Sequence, residues 1–184
     1  MDQIISLHTP LTEEICASLR AGDRVLLTGE IFTARDAAHQ RLCAAIDAEK
    51  ALPFALDGAV IFYAGPTPAK PGTPIGSIGP TTSGRMDLFT PRLLARGLKG
   101  MIGKGKRSPE VRDAIRRFNA VYFGAVGGVA ALMARCVRHA EWVAYEDLGP
   151  EGIMRLDLCY LPLVVINDSQ GRDLYEEAIE HYCQ

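Results

Sequence analysis

Short apolar runs alternate with helix-start signals along this chain. That alternation restricts it to an α/β architecture in which helices cover a sheet. Arg24–Thr28 and Ala59–Tyr63 carry the β-branched and aromatic content of strands, the second opened by an Asp57-Gly58 turn. Glu30–Thr33, Ala120–Phe123, Glu141–Tyr145, Met154–Leu158 and Leu163–Asn167 extend the series. Helices are marked by their starts. Arg35 to Glu49 places Ala38, Leu42, Ala45 and Ile46 at helical spacing. Thr90-Pro91 reads as an N-cap followed by proline at the first helical position, with Gly97 as the stop, and Ser108-Pro109-Glu110 opens a second such helix ending near Phe118. The glycines of Gly124-Ala125-Val126-Gly127-Gly128 precede a small-residue helix over Val129–Cys136. One stretch, Gly65 to Gly84, breaks the pattern: four prolines fall between Pro66 and Pro74, Pro80 follows, and the segment reads as a structured loop.

At 184 residues the chain is expected to form one domain over 1–184 with a sizeable core. A net charge of −2 and the absence of any Lys/Arg-rich block argue against nucleic-acid binding. No apolar run is long enough for a membrane span. Met1-Asp2-Gln3-Ile4 lacks a basic and then apolar leader, so no secretory signal is expected. Cys16, Cys43, Cys136, Cys159 and Cys183 are scattered, with no C-x-x-C and no cluster-like run. They read as reduced thiols, most of them small buried hydrophobes, of a cytoplasmic protein. His8, His139 and His181 have no companions at metal-ligand spacing.

Three stretches put cations beside glycines, hydroxyls or a helix start. In Ala34-Arg35-Asp36-Ala37-Ala38-His39, Arg35 opens a helix directly after a strand, Asp36 sits in its first turn, and His39 lies one turn on. An Arg–Asp surface pair beside an exposed histidine accounts for that stretch equally well. In Gly79-Pro80-Thr81-Thr82-Ser83-Gly84-Arg85-Met86-Asp87, free N–H groups and hydroxyls beside Arg85 suit an anion; hydroxyls that cap the next helix are the bland alternative. Gly103-Lys104-Gly105-Lys106 offers a third cation. The window Gly100 to Arg107 nearly fits G-x-x-x-x-G-K-[S/T], but Arg107 stands where the Mg²⁺-binding hydroxyl belongs. A nucleotide- or phosphate-binding module is thus one reading, and a solvated basic loop another. Arg35, Arg85 and Lys104 together suit a small dicarboxylate, because charge-assisted bonds from Arg grip a carboxylate with two donors.

These motifs, taken in order, resemble the β subunit of the iron–sulfur hydro-lyases, class I fumarate hydratase and L-tartrate dehydratase, and the C-terminal domain of single-chain class I fumarases. The resemblance runs from Gly22-Asp23 and Thr28-Gly29 through Ala64-Gly65-Pro66, Gly79–Asp87, Gly103-Lys104-Gly105, Ala120-Val121-Tyr122-Phe123 and Gly127-Gly128 to Tyr145-Glu146-Asp147-Leu148-Gly149. It implies a swivelling β/β/α domain. It also implies a partner α subunit that carries a [4Fe–4S] cluster on three cysteines, in an α2β2 assembly, with this chain ligating no metal and inactive alone. Carried over by position, Arg35, Thr82, Arg85 and Lys104 would bind the substrate and Thr81 would be the catalytic base. Asp36, His39 and Asp87 would stand behind them. The implied reaction is hydration of fumarate to (S)-malate. L-tartrate or mesaconate are the alternatives, with Ala37-Ala38 favouring fumarate.

Overall fold

The computed structural model describes residues 4–125, 128 and 130–182. Residues 1–3, Gly127 of the glycine motif and Cys183 lie outside the described residues. The strands are β1 (Ile4–His8), β2 (Arg24–Thr33), β3 (Val60–Phe62), β4 (Gly100–Gly103), β5 (Val121–Gly124), β6 (Val137–Ala144) and β7 (Ile153–Asn167). β1 to β5 are parallel neighbours in that order, whereas β7 runs antiparallel to β5, β6 and β2. Because β7 pairs with both β5 and β2, the strands β2, β3, β4, β5 and β7 close into a barrel-like core of a mixed α/β structure.

Two pairs of expected strands turn out to be single ones. Arg24–Thr28 and Glu30–Thr33 are both β2, whose register against β7 slips between Leu27 and Gly29. The strand therefore does not end at Thr28-Gly29: Thr28 faces two residues of β7, Cys159 and Tyr160, a bulge in β7 at which Tyr160 takes a φ of +56°, while Gly29 has a φ of +112° where Thr9 crosses it. Met154–Leu158 and Leu163–Asn167 are the two ends of β7. Its length follows from its partners: Ile153–Leu158 pairs with β6, and Val164–Asn167 with β5. The strands expected at Ala59–Tyr63, Ala120–Phe123 and Glu141–Tyr145 are present with shifted ends; Tyr145 has left the strand at a φ of +59°. β1 and two helices, α1 (Glu13–Ser18) and α6 (Leu174–Tyr182), were not evident in the sequence pattern.

The helices α2 (Asp36–Asp47), α3 (Thr90–Leu94) and α4 (Pro109–Arg117) fall where their start signals place them, and α5 (Ala130–Arg135) follows the glycine motif. Ser108 caps α4 as expected, accepting from Val111 N at 3.3 Å. Thr90 does not cap α3. Phe89 occupies that position, because the Thr90 hydroxyl is taken by a buried polar network.

β3 and β5 read as unbroken apolar runs because both of their faces are covered. Val60, Phe62, Ile102, Val121 and Phe123 point into one core with Val25, Leu27, Leu156 and Leu163. Ile61, Tyr63, Met101 and Tyr122 point into a second core against Ala38 and Leu42 of α2, Leu93 of α3 and Val111 and Ile115 of α4.

One charge lies within this second layer. The Arg107 side chain is fully buried, and it donates from Nε to Asp87 Oδ1 (2.7 Å) and from Nη2 to Thr90 Oγ1 (2.8 Å). Its guanidinium lies over the rings of Tyr63 and Tyr122, 5.2 and 4.9 Å from their centroids. Asp87 uses its other oxygen to accept from Ser108 N at 2.6 Å. Burial disfavours the Arg107 charge, but Tyr63, Asp87 and Tyr122 together outweigh it and hold the pKa above the ordinary arginine value. Arg107→Ala strands the mostly buried Asp87 carboxylate, so it should destabilise the fold by about 3–5 kcal/mol in chemical denaturation. Pairing it with Asp87→Asn should recover part of that loss; a single variant as stable as the parent would show that the pair is dispensable.

Candidate functional site

Because β2 to β5 are parallel, their carboxyl ends share one rim of the sheet, the end at which parallel α/β sheets, open or closed, bind ligands. Arg35 follows β2, the Gly65 loop follows β3, and Lys104 follows β4. The segment Thr81–Ser83 returns to this rim and inserts between β3 and β4. Thr81 N donates to Tyr63 O (2.7 Å), Lys104 N to Thr81 O (3.3 Å) and Ser83 N to Lys104 O (2.9 Å). A parallel bridge pairs Thr82 with Lys104. The stretch expected to be an anion loop is thus a short surrogate strand. It ends in a 3-10 turn over Ser83–Met86 that carries Arg85. Ser83 anchors it from below: its Oγ lies 2.9 Å from the Tyr122 hydroxyl, which donates to Gly105 O at 2.9 Å. A side chain at Gly103 would run into Ser83, so that glycine permits the close approach.

Arg35, Asp36, Thr81 and Arg85 come together. Arg85 Nη2 donates to Thr81 Oγ1 at 3.0 Å and lies 3.0 Å from Asp36 Oδ2, an ion pair without hydrogen-bond geometry. Asp36 therefore serves Arg85 and not its neighbour Arg35. Arg35 is the N-cap residue of α2 and gives the helix no side-chain cap; its Nη2 lies 3.4 Å from Glu151 Oε1. Thr82 and Lys104 are exposed beside this group, and Lys104 forms no ion pair among the described residues. A guanidinium donating to Thr81 Oγ1 favours the ionised hydroxyl, while Arg35, Arg85 and Lys104 leave an excess of positive charge over Asp36 and Glu151. Chemically, the arrangement can bind carboxylates and stabilise an oxygen anion at Thr81. The rim is open. A cavity of about 410 Å³ lies elsewhere, lined by Phe32, Phe54, Val143 and Arg155, and includes none of these residues.

Several residues play other parts than their sequence context implied. Asp87 points inward to Arg107 and belongs to the support of the site. The near-match to a phosphate-binding loop dissolves, since Gly100–Gly103 is a buried strand and Arg107 is committed to Asp87. His39 is not on the surface but fully buried. Its Nδ1 lies 2.8 Å from Arg35 O, which only accepts, so Nδ1 carries the proton and Nε2 is left without a partner. Glu151 carries no signal in the sequence, and Arg107 and Tyr122, although they fall inside stretches named above, carry none that gives them a part in the site; each is tied to it only by tertiary contact. Among the described residues no group of three or more His, Cys, Asp or Glu side chains is placed to hold a metal ion. Cys16 and Cys43 are buried and face backbone carbonyls of Lys99 and Phe89, and burial pushes the Cys16 thiol up to about 12. Cys136 and Cys159 are half-buried and adjacent, Cys159 N donating to Cys136 O at 2.8 Å, but among the described residues no third His, Cys, Asp or Glu joins them.

Burial is the main cause that lowers the His39 pKa to about 4 from 6.5, opposed by its bond to the Arg35 carbonyl. Between these values the unfolded chain binds the extra proton and the folded chain does not. Stability is therefore lost as pH falls from 6.5 to 4, by an amount on the order of 3 kcal/mol. Denaturant melts across this range should show a shallower dependence in His39→Gln; parallel curves would assign the effect to other groups.

The family model described as Fumarase C-terminus matches residues 1–178. The chain is 38% identical over 184 residues to the anaerobic class I fumarate hydratase of Escherichia coli (strain K12), covering 97% of this chain and 33% of that protein. It is 34% identical over 178 residues to the mitochondrial fumarate hydratase 1 of Leishmania major, covering 95% of this chain and 32% of the other. To the L(+)-tartrate dehydratase subunit beta of Escherichia coli (strain K12) it is 35% identical over 179 residues, covering 93% of this chain and 86% of that subunit. It spans roughly a third of the length of these fumarate hydratases and most of the tartrate dehydratase subunit. A match that takes in the β2 rim, the Thr81–Arg85 insertion and the Glu151 turn alike leaves one conclusion: the chain belongs to the fumarase C-terminus family.

Proposed function

We propose that this chain is the β-type unit of an iron–sulfur hydro-lyase that interconverts fumarate and (S)-malate. The observation that carries this reading is the meeting of Arg85 with both Thr81 Oγ1 and Asp36 at the strand ends where Arg35 and Lys104 also emerge. Relatives named fumarate hydratase and tartrate dehydratase support the reaction class. On this reading the domain is of the swivelling β/β/α type. The [4Fe–4S] cluster that the resemblance implies sits on a partner α subunit. The complex is α2β2 and cytoplasmic, in keeping with the free thiols.

The chemistry asked of this chain is electrostatic. Removing the proton next to a carboxylate spreads a second negative charge onto that carboxylate. Arg35, Arg85 and Lys104, with Thr82 beside them, bind the substrate carboxylates and stabilise that charge more than the ground state. Thr81 takes the proton as its alkoxide, which the Arg85 guanidinium at 3.0 Å makes accessible. The chain alone has the carboxylate grip but not the remainder of the site. L-tartrate is the second reading, favoured by the relative named as a subunit of tartrate dehydratase.

Co-purified anaerobically with its α partner, the chain should turn over fumarate faster than L-tartrate or mesaconate, and alone it should turn over none. Arg85→Ala in that complex should lower kcat/KM by an amount equivalent to about 2–5 kcal/mol, without unfolding the chain. Preference for tartrate would move the substrate within the same scaffold. Activity of Arg85→Ala within about threefold of the parent, a difference under about 1 kcal/mol, would remove Arg85 from the site.

A further inference from the structure

We infer that Glu151 is a positioning residue that holds Arg35 in its binding conformation, and that the Tyr145–Gly152 turn exists to deliver it. The inference rests on the carboxylate-binding role proposed for Arg35. α2 begins without a side-chain cap of its own, since Arg35 occupies the N-cap position. Glu151 supplies the missing acceptor from 114 positions away: its Oε2 accepts from Ala37 N at 3.0 Å. Its Oε1 lies 3.4 Å from Arg35 Nη2. One carboxylate thus fastens the first helical turn and the guanidinium to each other.

The turn that bears Glu151 is itself fixed to α2. One turn further along the helix, Arg41 donates from Nη1 and Nη2 to both oxygens of Asp147, at 2.8 and 2.5 Å, and lies over the Tyr145 ring at 5.1 Å. The turn needs two unusual backbones, Tyr145 at a φ of +59° and Gly149 at a φ of 55° with a ψ of −128°. It also presses Pro150 against the loop after β3. A Cβ on Gly65 would strike Pro150 O and would stand 3.1 Å from Arg35 Nη1. The Arg35 side chain is held between this glycine and Glu151, with its Nε buried and unpartnered. A free arginine side chain loses considerable rotamer freedom when it grips a ligand, and ordering it in advance strengthens binding.

Glu151→Gln tests this cleanly, because the amide oxygen still accepts from Ala37 N–H while the negative charge that faces Arg35 is removed. In the complex with the α partner, KM for the dicarboxylate should rise on the order of tenfold, with kcat falling much less. Glu151→Ala should add a fall in melting temperature. A KM that is unchanged or lower in Glu151→Gln overturns the inference: the first leaves Glu151 a helix cap only, and the second makes it a competitor for Arg35. A readout independent of turnover separates this from the hydro-lyase reading. In the full chain labelled with ¹⁵N-arginine, the Arg35 Nε–H should be restricted in motion and should become mobile in Glu151→Gln. If the parent complex acts on no dicarboxylate, the functional reading fails while this signal still decides the clamp; an unaltered Nε–H signal in the variant refutes it.

Discussion

Backbone groups at the ends of β3 and β4 need hydrogen-bond partners once the two strands part, and Thr81–Ser83 supplies them. Much of the candidate site follows from that insertion. It brings a residue of the irregular loop into line with Lys104, sets Thr81 beside Arg85, and aims Arg85 across the rim at Asp36. The segment has little apolar area of its own, so its position depends on what lies beneath it. Ser83 with Tyr122 fixes its middle, and Asp87 with Arg107 fixes its far end.

Arg107 illustrates how a costly feature is tolerated. An unpaired guanidinium in this layer would be strongly disfavoured, yet here it has a carboxylate, a hydroxyl and two aromatic faces. The network joins the turn after the insertion to the start of α4, because Asp87 accepts from Ser108 N as well. Support and site are thus adjacent segments of one strand-and-turn unit, with charge pointing outward at Arg85 and inward at Arg107. Arg35 is supported separately, from the distant turn that carries Glu151 and Asp147.

The architecture was legible where local rules are strong. Fully buried strands announced themselves by continuous apolar runs, and Ser108-Pro109 marked a helix start that the structure keeps. The breaks that the pattern suggests at Thr28-Gly29 and at Cys159–Pro162 are the two sides of one bulge, where Thr28 faces both Cys159 and Tyr160; a glycine and a proline mark such a place as they would mark a strand end. Thr90 carried a cap signal that a buried network overrode. His39 and Asp87 could not be sorted by sequence, since helical or turn spacing fixes which residues share a face but not what covers that face.

By itself, the sequence determined the α/β class, the family and the short list of cations and hydroxyls, because motif order and local periodicity are carried by neighbouring residues. Only the tertiary structure decided how they are combined. Closure of β7 onto β2 and β5 brings the far end of the chain to the start of α2, so that Glu151 meets Arg35. The parting of β3 and β4 admits Thr81, and burial separates Arg107 from Arg85. These relations depend on long-range hydrogen bonds and on exclusion of water, neither of which leaves a mark in local spacing.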